Sequence, residues 1–132
     1  MKSILWGISL IVVAVTGCNR THDVNADGYA CLGKARAALC AGDTKRVKAL
    51  VDSLRSEYPM ALNAREDAIL LLDSANLTEA HEEVSTLEGT LQNARLTRIG
   101  RDTVEFNLDE AREKVRFFEK KISVDKAKKK TH

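Results

Sequence analysis

From Leu77 onward the apolar residues recur at steps of three and four: Leu77, Ala80, Val84, Leu87, Leu91 and Ala94. That is the heptad spacing of helices that pack along a narrow seam, and it restricts this half of the chain to long helices. Between Met60 and Leu96 there is no proline and only one glycine, Gly89. The first long helix is therefore expected to run straight through, with Asn76 the one place to break it. Leu108, Ala111, Val115, Phe118 and Ile122 give a second seam of similar length. Between the two, Ile99 to Asn107 interrupts the pattern and is read as a loop that tucks Val104 and Phe106 against the helices. Asn107 with Glu110 three residues on has the form of a capping box, so the second helix is expected to start there. Two seams joined by a loop of that size most simply zip into an antiparallel coiled-coil hairpin over 74–125, followed by a basic tail, 126–132. Homo-oligomer formation through the same seam is the alternative, because either seam is short for a helix stable in water by itself.

Upstream the spacing stays helical but the residues become small. Leu32, Ala35, Ala38 and Leu39 share one side of a segment running from Tyr29 to Ala41. Gly42 supplies a stop and Asp43 an N-cap. The next segment, Thr44 to Tyr58, sets Val47, Leu50, Val51, Leu54 and Tyr58 on one face. Pro59 ends it or opens the next helix. Ala64, Ala68, Ile69, Leu71 and Leu72 then form a broad face that should close over this hairpin. From about Asp27 to Met60 these residues resemble one tetratricopeptide-type unit, with Ala35, Ala38, Gly42, Val47, Val51, Leu54 and Pro59 at that family's intervals. Alanine stands where the family prefers a bulky aromatic, and leucine where it prefers alanine. One unit cannot form a superhelical array, which takes three or more. The expected fold class is all-α: a tetratricopeptide-like hairpin plus closing helix over 28–73, then a long helix folding back as a coiled coil.

The N-terminus carries a different message. Lys2 precedes an apolar run from Ile4 to Val15, and the run closes on Thr16-Gly17-Cys18. Charged start, apolar middle and small-residue end are the order of a secretory signal. The run is shorter than the roughly 20 residues of a spanning helix. Val15-Thr16-Gly17-Cys18 resembles the lipobox of bacterial lipoproteins. That resemblance implies cleavage between Gly17 and Cys18, removal of 1–17, and a diacylglycerol and fatty-acid anchor on Cys18. Three acyl chains exceed the two membrane signals that stable anchoring requires. Cleavage leaves 115 of the 132 residues, enough for a single domain, with 18–27 as a polar tether. The remainder holds 20 basic and 19 acidic residues, so no strong field draws it to nucleic acid. Trp6 leaves with the signal, and five aromatics are too few for a sugar- or base-stacking surface.

Chemistry-bearing motifs are scarce. Asp23-x-Asn25-x-Asp27-Gly28 matches the opening of a calcium loop, but the twelfth position, where a carboxylate belongs, is Lys34. An Asx-rich turn capping the next helix is the competing reading. Cys31 and Cys40, nine apart on one helix, would stand about 13.5 Å apart along its axis, beyond reach of a disulfide unless the chain bends near Gly33. Small apolar fillers, a bent internal bridge and a bridge between chains stay open. His22, His81 and His132 are scattered, and no phosphate loop, nucleophile turn or paired-cysteine metal spacing occurs. The chain as a whole resembles small helical lipoproteins of Gram-negative envelopes. The resemblance implies a non-catalytic interaction or scaffold component, lipid-anchored and most naturally at the outer membrane facing the periplasm. It implies no cofactor beyond the lipid, and as partners the bilayer and an envelope protein, with Val115, Phe117 and Phe118 as contact candidates. A structural tether from membrane to cell wall through the lysine tail is the alternative.

Overall fold

A computed structural model describes residues 23–130, and these form four helices with no strand among them: α1 Val24–Cys40, α2 Thr44–Glu57, α3 Leu62–Asn93 and α4 Arg98–Lys130. Local chemistry fixes each boundary of the first hairpin. The Asp23 carboxylate accepts from the Asn25 N–H at 3.0 Å, and that of Asp43 from the Arg46 N–H at 2.9 Å, so each satisfies an orphan donor of a first turn. Between α1 and α2, Gly42 takes φ +75°, which lets its N–H reach Leu39 O and the Asp43 N–H reach Ala38 O. A side chain at Gly42 would strain that left-handed turn.

The core lies where α1, α2 and the first half of α3 meet. Val47, Val51, Leu54, Ala61, Ala64, Ala68 and Ala75 are fully buried, with Leu32, Ala35 and Ala38 from α1 beside them. Small residues let the backbones approach closely. Gly28 is the extreme case: a Cβ there would stand 2.6 Å from the Ala61 Cβ and 3.1 Å from that of Ala64. Ile69 falls off the expected face and is 44% exposed, whereas Leu71 and Leu72 pack against the core.

α3 continues unbroken through Asn76 for 32 residues, about 48 Å, and outruns α1 and α2. Beyond their reach only α4 covers it. The two long helices run antiparallel, as their cross-links require: Arg112 meets Glu88, Lys114 meets Glu83, Lys121 meets Asp73, and Lys129 meets Asp67. As one number rises the other falls. Leu108 and Ala111 are buried along this contact, while Leu77, Val84, Leu87, Leu91, Val115, Phe118 and Ile122 are half-buried.

Several boundaries differ from the sequence reading. The connection is 94–97, and 99–107 is helix. Thr97 Oγ1 accepts from the Gly100 N–H at 3.2 Å and so performs the capping expected of Asn107, which is an exposed mid-helix residue. Val104 prolongs the second seam by one step, half-buried, but Phe106 points to solvent at 70% exposure. α1 starts at Val24, so the helix absorbs the last residues of the polar tether. Of the two roles open to Pro59 it takes the first, lying in the turn just after α2 ends and not at the opening of α3. The first five residues of the basic tail, Lys126 to Lys130, belong to α4.

Candidate functional site

Antiparallel packing decides which parts of the chain share an end. α1 begins beside the start of α3, as the approach of Gly28 to Ala61 and Ala64 requires. α4 finishes beside the same region, because Lys129 pairs with Asp67, which Arg36 also approaches at 3.5 Å. One pole of the bundle therefore gathers the entry of the chain, the α2–α3 turn and the lysine-rich end of α4. Met60 and Leu62 in or next to that turn are 72% and 64% exposed. Leu62 lies one residue beyond the buried Ala61 and so faces away from the core. An open groove of about 870 Å³ is lined by Tyr29 of α1, Glu66, Ile69 and Leu70 of α3, and Asp125 and Lys128 of α4. Exposed apolar side chains, the cations ending α4 and the start of α1 are thus gathered at the same pole.

Of the residues singled out in the sequence, Gly17 and Cys18 lie outside the described residues. Asp23 serves as the cap of α1, while Asn25 and Asp27 lie in its opening turns. The bent loop that a calcium site requires is replaced by helix, so these three do not converge as a loop would make them. Among the described residues no group of three or more His, Cys, Asp or Glu side chains is arranged to hold a metal ion. Phe117 is 59% exposed and meets the half-buried Phe118 edge-on, with ring centres 5.1 Å apart. Val115 is half-buried in the α3–α4 seam, where a shallow groove also takes in His81 and Val84.

Two features escaped sequence reading. Asp73 is 4% exposed, and both its carboxylate oxygens accept from Lys121 Nζ, at 2.7 and 2.6 Å. Its signal was an acidic residue closing the run Ala68-Ile69-Leu70-Leu71-Leu72. Phe106 and Ile99 were missed as surface residues because their segment read as a loop. Glu79 and Cys31 are shifted by the side chains and burial around them. Glu79 is held below the usual carboxylate range by its 2.5 Å hydrogen bond from Lys48, with Thr44 assisting and desolvation opposing. Burial pushes the Cys31 thiol up, Glu57 adds to the effect, and the thiol donates to Leu50 O at 3.5 Å. Cys31 and Cys40 are both free thiols, the second exposed. On α3 the hydroxyls of Ser74, Thr78, Thr86 and Thr90 donate to carbonyls four residues back. Such bonds occupy them with their own helix.

No described helix is long and apolar enough to cross a membrane. Comparison with protein families, with curated proteins and with solved structures finds no match to this chain.

Proposed function

We propose that this protein is a bacterial envelope lipoprotein, held to a membrane by an acylated Cys18, whose helical body is a non-catalytic interaction or scaffold component, most naturally at the outer membrane facing the periplasm. The observation that carries the reading is the composition of one pole. At the pole where α1 begins, exposed Met60 and Leu62 share the end of the bundle with the lysines ending α4, which the Lys129–Asp67 pair ties to the start of α3. Apolar side chains that enter an interface and cations that meet anionic headgroups are what a surface-bound pole needs. Knobs-into-holes packing along the α3–α4 seam belongs to the same proposal, as the source of the arm's stiffness.

The wall-tether alternative draws less support. A tether needs its two attachments at opposite ends, and the lysine tail returns to the end where the chain enters. Mass spectrometry of protein purified from its native host tests the proposal. A chain beginning at Cys18 and carrying acyl groups is expected; an intact Met1, or an unmodified Cys18, contradicts it.

A further inference from the structure

α4 carries large apolar residues on two opposed faces. One packs on α3. The other bears Ile99, Phe106, Phe117 and Val124, exposed at 79%, 70%, 59% and 43%. At 3.6 residues per turn these four fall within about 20° of one line, roughly 38 Å long. Their intervals are 7, 11 and 7, and the row therefore reads the same from either end.

We propose that this stripe is a self-association surface, where α4 of one chain pairs antiparallel with α4 of a second copy about a two-fold axis between residues 111 and 112. The axis sets Phe106 opposite Phe117 of the other copy, and Ile99 opposite Val124. Such an interface is isologous, the commonest form in homodimers. Charge selects the direction. The stretch 98–110 has two arginines against four carboxylates, whereas 113–130 has eight cations against three carboxylates. Parallel pairing would set basic half on basic half. Antiparallel pairing sets acidic on basic and brings Asp102 toward Lys120 of the second copy. The second seam is not the surface used, because Leu108 and Ala111 are already buried against α3.

A strip 38 Å long and about 10 Å wide offers on the order of 400 Å² per chain, under the roughly 800 Å² per partner of stable complexes. Pairing is therefore weak in dilute solution and relies on chains concentrated at a surface, in which respect it rests on the acylated anchor. The two anchors leave from opposite ends of the pair, so one bilayer holds both with the helices lying along it.

The test is disulfide cross-linking of the full chain in native membranes, with Cys31→Ala and Cys40→Ser as background. Two differently tagged copies carry Phe106→Cys and Phe117→Cys. Cross-linking between the tags is expected, with Phe106→Cys failing to link to itself because those positions stand about 16 Å apart along the axis. Asp102→Lys should cut the yield several-fold, and Lys120→Asp added to it should restore the yield. Self-linking of Phe106→Cys, or no link in any combination, overturns the pairing. Mass spectrometry of the same material keeps the two proposals apart: absent links in acylated protein sink only the pairing, and links in unacylated protein uphold it without the anchor.

Discussion

The two halves of α3 live in different surroundings. From Ala64 to Ala75 the helix is enclosed by α1, α2 and α4, and its inward alanines, Ala64, Ala68 and Ala75, are fully buried. From about Leu87 to Asn93 only α4 covers it, and every residue keeps some contact with water. Close-packed alanines lose heavily when the backbone spacing changes, because dispersion and solvent exclusion fail together. A half-wet seam with exposed ion pairs has less to lose. One continuous helix thus joins a rigid pole to a looser arm.

The comparison is broken most directly in the pole. Leu54→Ala, at a site with no exposure, should cost about 3–5 kcal/mol, whereas Leu87→Ala in the arm should cost about 1 kcal/mol; chemical denaturation reads both. Next comes Lys121→Met, which strips the buried Asp73 of its partner. Losing one member of such a pair costs several kcal/mol, here about 2–3 because Lys121 itself is partly wet. Adding Asp73→Leu should recover most of the loss. Glycine separates the regions by sign. Gly28→Ala meets Ala61 and should destabilise by about 1–2 kcal/mol, but Gly89→Ala in the arm has open space and should stabilise by about 0.5–1 kcal/mol.

Acid gives a smaller effect. The folded-state pKa of Glu79 lies below its ordinary 4.5. Its contribution is therefore present above that ordinary value and lost as pH falls through the depressed one. Glu79→Gln should flatten the acid limb of a stability–pH profile while leaving its neutral and basic limbs in shape. Smallest of all is Arg112→Ala, which breaks an exposed pair with Glu88 and should cost under about 0.5 kcal/mol in a thermal melt.

Much of the pole was legible because its signals are local. Asp43, Gly42 and the three-four spacing of Val47, Leu50, Val51 and Leu54 each dictate structure within a turn. The arm was harder. Ile99-Gly100 reads as a break, yet the helix crosses it because Thr97 offers a cap and Val104 continues the buried row toward Leu108. Phe106 reads as a packed residue for the same reason: a loop can fold a ring inward, whereas the helix turns it out. The gathering of Met60, Leu62 and the terminal lysines at one pole depends on which helices lie side by side. No local pattern carries that.

Hydrogen exchange along α3 tests most directly whether a rigid pole and a looser arm share that helix. Amides from Ala64 to Ala75 are expected to exchange only on near-global unfolding, at least about tenfold more slowly than those from Leu87 to Asn93, a gap of about 1.4 kcal/mol. Uniform protection along the helix, or faster exchange at Ala64 to Ala75, would contradict it.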